Sequence, residues 1–464
     1  MRRLLLVLVP LGVCLVVVAS VSALRGGSKV TFADVAPIFA DKCAGCHTVG
    51  GIAPFPLTSA ADARQWAPLI EAATQARIMP PWPPGPDSPA FVGQSRRQLT
   101  GRELTLIAQW VKDGAPAGRP VAPPPKPPAP KGLVLAPGAA YLPHASVGLD
   151  DYHCTLLDPR LNRGHMVTAA YVLPGRPDIV HHVILYEVWG AQVAQARALN
   201  RASGGHGWTC FGGPVVGVNS NDHDRWLGAW VPGKTNNAFP AGTGMSFPKG
   251  AAIVMQVHYN LIHRPRPDRT RVVLDFAPAG KKLIPLETKL YFAPIEIPCP
   301  AGIHNPLCNR SAAIAALGRQ YGADAAATPD AQLQFCGETL PAAVGLTTSC
   351  DRPLDGAATI YEVAGHMHLR GVDIRIQLDL HGRWITLLHI PHWSFHWQNF
   401  YTLQKPIRAP AGSIVRVSCR FDNSPLKQPV INGKQLPPRY VVWGEGTTDE
   451  MCLGVLETSV TGQH

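Results

Sequence analysis

The sequence predicts a multidomain chain, with a small all-α module followed by two all-β sandwiches. Three observations predict it. The stretch "VAPPPKPPAPK", Val121 to Lys131, is a proline-rich spacer, extended and semi-rigid. Before it, "FADVAPIFADKC" and "TGRELTLIAQWVKDG" read as the first and last helices of a short module. After it come short alternating runs punctuated by Gly, Pro and Asn, the signature of β-sandwiches. The chain has 464 residues, ample for several domains and a sizeable core.

Residues 1–23 read as an export signal. Arg2 and Arg3 form a basic start, Leu4 to Ala19 is apolar, and "VSA" at Val21 to Ala23 suits cleavage. The apolar run could instead stay as a membrane anchor. Export, to a periplasmic or secreted location, changes how the cysteines read. Cys14 lies in the signal, and the remaining cysteines can form disulfides in an oxidising compartment. The net charge of +11 is spread without a compact Lys/Arg block. That excludes a nucleic-acid footprint and leaves a mildly basic surface.

The front module carries "KCAGCHTVG", with Cys43, Cys46 and His47 in a C-x-x-C-H arrangement. Two thiols can bond to haem vinyl groups while the adjacent histidine ligates the iron. A disulfide or half a zinc site is the blander alternative. His47 is the only histidine before residue 140. Apart from Met1, Met79 is the only methionine before the spacer. It sits in "RIMPPWPP", where prolines fix a loop that could hold the thioether against the iron, and this reading is preferred to simple core packing. From residue 29 to 117 this module resembles class I cytochrome c. The resemblance implies one covalently bound haem c, held by Cys43, Cys46, His47 and Met79. Residues 118–138 form the linker.

Several histidines after the linker show no partner pattern, among them His144, His263, His304, His381 and His464. Four groups stand out. In "IVHHVILYEV", His181 and His182 open an apolar strand. Adjacent strand residues face opposite sides, so both reach one metal only if a bulge or strand start brings them together. In "AAIVMQVHYN", His258 alone reads as a core histidine. In "EVAGHMHLRG", strand alternation puts His366 and His368 on one face and turns Met367 away. In "GEGTTDEMCLG", Met451 follows a polar turn and alone reads as core.

Together, "HHVIL", "LGAW…FPAGTG…MQVHYN", "GHMHLRG" and "VSCRFDNS…TTDEMC" occur in the order found in the copper type II, ascorbate-dependent monooxygenases. The resemblance covers roughly residues 140–464. It implies two packed jelly-roll sandwiches, residues 139–282 and 283–464, and two copper ions. His181, His182 and His258 match the ligands of the electron-transfer copper. His366, His368 and Met451 match the catalytic copper that binds dioxygen. The residue types agree, since imidazole suits both copper oxidation states and a thioether favours Cu(I). Three histidines alone could equally hold zinc. The resemblance also implies a Cys419–Cys452 bridge, and ascorbate or another reductant as electron source. Cys154 and Cys210 are candidate partners in the first sandwich. The pairing of Cys299, Cys308, Cys336 and Cys350 stays open.

The chain departs from the peptide-amidating members at their substrate grips. Those positions are Ala364, Leu453 and Val455 here, which implies a less charged substrate, although Arg370 could supply a cation. An insertion at about 299–345 could be a lid, a dock for the front module, or an excursion without a role. The aromatic run "HWSFHWQNFY", His392 to Tyr401, reads as sandwich core rather than pocket lining. The expected function is an exported monooxygenase that hydroxylates a small-molecule C–H with dioxygen. The haem domain would donate or relay electrons from an external donor. The alternatives are a non-enzymatic haem/copper carrier or storage protein, or a zinc-bound recognition sandwich.

Overall fold

The computed structural model describes residues 29–51, 53–124, 128–145, 149–211, 213–215, 226–232, 234, 237–261, 264–339, 344–431 and 433–460. The expected signal, 1–23, lies outside the described residues. Among them, no helix is long and apolar enough to cross a membrane.

Among the described residues ahead of the proline-rich stretch run five helices: α1 (Phe32–Lys42), α2 (Ala60–Gln65), α3 (Ala67–Gln75), α4 (Gln94–Arg97) and α5 (Gly101–Lys112). Thr100 and Glu103 cap α5 reciprocally. Thr100 Oγ1 accepts from Glu103 N at 3.3 Å, and Glu103 Oε2 accepts from Thr100 N at 2.7 Å. The apolar stripes of α1 and α5 meet through Phe39 and Trp110, edge to face at 5.8 Å.

The rest of the chain is mostly β-sheet. A five-stranded sheet has the order β5 (Trp208–Thr209), β2 (Asp150–Leu157), β8 (Ala252–Asn260), β4 (Val180–Val188), β6 (Trp226–Trp230). An eight-stranded sheet runs β1 (Leu133–Leu135), β9 (Arg271–Phe276), β3 (His165–Leu173), β7 (Thr243–Phe247), β10 (Ile284–Phe292), β21 (Leu453–Val460), β13 (Ala358–His366), β16 (Phe400–Ala409). A four-stranded sheet follows β12 (Thr347–Pro353), β17 (Ile414–Phe421), β14 (Gly371–Leu380), β15 (Arg383–Ile390). Two short pairs complete the set: β11 (Glu296–Ile297) with β20 (Val441–Val442), and β18 (Val430–Ile431) with β19 (Lys434–Gln435).

The eight-stranded sheet is shared by both sandwiches. Its first half packs on the five-stranded sheet through Val167, Val272, Val183 and Ile253. Its second half packs on the four-stranded sheet through Ile360, Val363, Ile374 and Val417. Strand β10 joins the halves. Ile284–Leu286 pair in parallel with β7, and Glu287–Phe292 pair with β21. The opposite face of the five-stranded sheet, carrying Ile184, Tyr186 and Val254, belongs to the second core. Strand β4 is covered on both faces from Val183 onward, in keeping with the apolar run Val183–Tyr186.

Four disulfides are present: Cys154–Cys210, Cys299–Cys308, Cys336–Cys350 and Cys419–Cys452. They point to an extracellular or secreted protein. Two of them pin the insertion, which folds as α7 (Arg310–Tyr321) and α8 (Ala323–Phe335); α6 (Ala191–Ala202) lies earlier, after β4. The insertion packs on β20 and Tyr440. The front segment docks elsewhere. Its loop between α3 and α4 lies along β15 and β16. Gly85 N donates to His389 O at 2.7 Å, and Val92 N to Thr402 O at 2.8 Å. Asp87 pairs with Arg375 at 2.6 Å and with His389 at 2.7 Å.

Two local expectations need correction. Strand β13 ends at His366, so His368 sits in the connection to β14, because Arg370 and its neighbours are drawn off to a buried carboxylate described below. The aromatic run is not continuous sandwich core. Residues 391–399 form a loop, in which Trp393, Phe395 and Gln398 are buried and the other residues are not.

Candidate metal centre

His181, His182 and His258 converge because β4 carries a bulge. In the pairing of β4 with β8, Val180 faces Tyr259 and His182 faces His258, so His181 is the extra residue. Nδ1 of His182 lies 3.2 Å from Nδ1 of His181 and 3.3 Å from Nδ1 of His258. One ring nitrogen from each lies within 4.8 Å of the others, a grouping that could hold a metal ion. His258 Nε2 meets Asp150 Oδ1 at 3.0 Å, so the proton belongs on Nε2 and Nδ1 keeps a bare lone pair.

Asp150 is itself buried and held from the far side. Its oxygens accept from Thr447 N at 2.9 Å and Thr447 Oγ1 at 2.7 Å. Burial alone would raise this carboxyl, but the His258 and Thr447 hydrogen bonds overcome it and hold it down at about 2. Thr447 lies in the polar turn before Met451. One carboxylate thus ties the first histidine cluster to the turn of the second.

The second cluster is His366, His368 and Met451. The two imidazoles are 5.1 Å apart, centre to centre, and nearly perpendicular. His366 Nδ1 donates to Gln398 Oε1 at 2.5 Å, which leaves its Nε2 free. Glu450 accepts from three backbone amides: His368 N at 2.9 Å, Arg370 N at 2.6 Å and Met451 N at 3.3 Å. This fixes the His368 turn against the Met451 turn. Burial raises the Glu450 carboxyl to about 7 despite these bonds. Cys452, bonded to Cys419, anchors the next residue of the same turn. Met367 is fully buried and packs away from the cluster, against Trp393 and Gly371.

The two clusters are adjacent. The rings of His182 and His366 are 6.3 Å apart. Phe395 stacks on His181 at 4.3 Å and meets His368 edge-on at 6.0 Å. His182, His366, His368 and Met451 all line one narrow cavity of about 80 Å³. Its other walls include Trp226, Trp230, Ala364, Phe400, Leu453 and Val455. Burial pushes His181, His182 and His368 well below the usual imidazole range, and His366 to about 4. Neutral imidazoles with free lone pairs are what a metal ion requires.

Arg370 does not reach this cavity. It is 0% exposed and donates to Asn423 Oδ1, Gln428 Oε1 and Thr448 O. Its role is to hold the turn before Met451. Asp150, Gln398 and Glu450 were not singled out by sequence reasoning. The weak signals were an acid pair opening a strand, an amide inside an aromatic run, and an acid next to the ligand-type methionine.

Residues 311–456 match the family model of the copper type II ascorbate-dependent monooxygenase C-terminal domain. That span contains His366, His368 and Met451. It supports an oxidoreductase similar to the copper monooxygenases, for which copper, dioxygen, a reductant and a small-molecule substrate follow. Imidazoles and a thioether share one mostly apolar cavity, a donor mixture that suits copper. No curated protein matches. Among solved structures, a Paenibacillus xanthan lyase is 11% identical with a TM-score of 0.17, covering 68% of this chain and 23% of its own. The VP2 subviral particle of infectious bursal disease virus is 10% identical with a TM-score of 0.17, covering 68% and 59%. The chain thus spans 23% and 59% of these proteins, and superpositions this poor carry no argument.

A second cavity, of about 1070 Å³, lies between the front segment and the sandwiches. Cys43, Cys46, His47 and Met79 line it, together with Trp230, Lys234 and Trp397. Both cysteines are free thiols. Burial pushes the Cys43 thiol up to about 12. His47 Nδ1 donates to Phe55 O at 2.9 Å, leaving Nε2 as its free nitrogen.

Proposed function

We propose that the chain is an exported copper-dependent monooxygenase that hydroxylates an apolar C–H group with dioxygen, with a covalent haem c as its electron source. The observation that carries the reading is the single cavity that His182, His366, His368 and Met451 line together. Copper held by these groups supplies one-electron redox chemistry and an open position for dioxygen.

The protein residues have defined tasks in this reading. Asp150 fixes the tautomer and ring plane of His258, and Gln398 does the same for His366. Glu450 keeps the backbones of His368 and Met451 in register. Burial keeps the histidines neutral, so no proton competes for their ligand nitrogens. Ala364, Leu453 and Val455 give the substrate an apolar wall, and among the described residues lining the cavity there is no Lys or Arg. A slender apolar substrate fits that wall better than a carboxylate.

The large cavity suits haem c on its donor set: two free thiols, an imidazole with one nitrogen committed to the backbone, and a thioether. Arg96, Arg97 and Lys234 also line it and offer cations to the haem carboxylates. Metal and haem quantification of the purified chain tests the frame, with two copper ions and one haem expected. Substrate-dependent oxygen uptake then tests the reaction. Met451→Ala should abolish that uptake while His181, His182 and His258 still load copper. Retained activity would remove Met451 from its role.

A further inference from the structure

We infer that Trp230 is the side chain through which single electrons cross from the thiol-bearing cavity to the histidine-lined one. The inference rests on the haem–copper reading above. Among the described residues, Trp230 alone lines both cavities. It is 9% exposed, so most of the indole is shielded from solvent. It closes β6, where its backbone partners Val183, the residue after His182. One wall of the large cavity is therefore fixed, through strand pairing, beside a ligand of the first cluster.

A second feature crosses the same partition. Trp397 lines the large cavity, while its neighbour Gln398 lines the small one and holds His366. The loop 391–399 thus reaches from one cavity to the other. The docking of the front loop along β15 and β16 holds this arrangement in place, through Asp87, Arg375 and His389. Electron transfer between two centres falls steeply with the through-space gap. An indole shared by both cavities places π-bonded atoms inside that gap.

The step is simple in its balance. One electron leaves a ferrous haem iron, which becomes ferric, and one Cu(II) becomes Cu(I). No bond forms or breaks and no proton moves. Two such transfers supply one hydroxylation, and a small-molecule reductant of the ascorbate class re-reduces the haem each time.

The test uses the full chain loaded with haem and copper, fully oxidised and without oxygen. Flash photoreduction puts one electron on the haem, and haem absorbance then reports its reoxidation while EPR reports loss of Cu(II). Trp230→Leu should slow this transfer about tenfold or more, equal to about 1.4 kcal/mol of barrier, with copper content and haem spectrum unchanged. Trp230→Phe keeps a ring in the partition and should be faster than the leucine variant. A leucine variant as fast as the wild type would overturn the inference while leaving the proposed function intact. A second measurement needs no variant: Cu(II) should relax faster when the haem is ferric than when it is ferrous. Identical relaxation would overturn the adjacency of the two centres. A wild-type chain that takes up no haem or no copper would instead overturn the proposed function beneath the inference.

Discussion

Asp150→Asn tests the tie between the two clusters. The carboxylate accepts from His258 Nε2 at 3.0 Å, Thr447 Oγ1 at 2.7 Å and Thr447 N at 2.9 Å. An asparagine has one acceptor oxygen, so its NH2 must face one of these donors. A buried hydrogen bond to a charged group is worth about 1.5–3 kcal/mol. The titration argument gives the same size. The carboxyl is held at about 2 against an ordinary value of 3.8, which is about 2 kcal/mol of stability. Its folded pKa is depressed, so this stability is complete above the ordinary value and lost as pH falls through about 2. We therefore expect urea denaturation at neutral pH to show a loss of about 2–3 kcal/mol in the metal-free variant. Copper affinity at the histidine trio should drop about 10- to 100-fold, as for other groups that orient a ligand histidine. A variant with wild-type denaturation and wild-type copper affinity would refute the reasoning.

Other perturbations follow from the same geometry. In the metal-free protein, His181, His182 and His368 lie well below the usual imidazole range and His366 near 4, all through burial. The unfolded chain takes up these protons first, so stability should fall as pH drops from about 6.5 towards 4, His366 alone contributing up to about 3 kcal/mol. Thermal midpoints that stay flat across that window would contradict it. Replacing Cys419 and Cys452 together by serine opens a loop with a sequence separation of 33. The expected loss is about 3–4 kcal/mol on the chain-entropy account. Copper EPR should show the His366/His368/Met451 site disturbed while the histidine trio keeps its signal, and an undisturbed spectrum would show that the bridge does not brace Met451.

Local chemistry was the legible part of this sequence. The alternation in "GHMH" already separated the two histidines from Met367, even though the strand stops sooner than the alternation suggests. The "HH" pair could reach one metal only through a bulge, and the register shift between Val180 and His182 supplies it. What could not be read were contacts set by tertiary packing. Asp150 is 108 residues from His258 and 297 from Thr447. Nothing local distinguishes that aspartate from its neighbour Asp151. Gln398 and Phe395 were hidden in an aromatic stretch whose residues look like ordinary core. Arg370 looked like a substrate grip because sequence shows its charge but not the buried polar groups that consume it.

The shared eight-stranded sheet has a consequence for how the molecule can work. A pair of sandwiches joined by a peptide tether behaves as a hinge. Two sandwiches joined by β10, hydrogen-bonded to β7 on one side and β21 on the other, behave as a beam. Turning one half against the other would mean shearing a ladder of backbone bonds buried under two cores. The spacing between the histidine clusters is therefore set when the chain folds, and turnover has a fixed path to work with rather than a closing jaw.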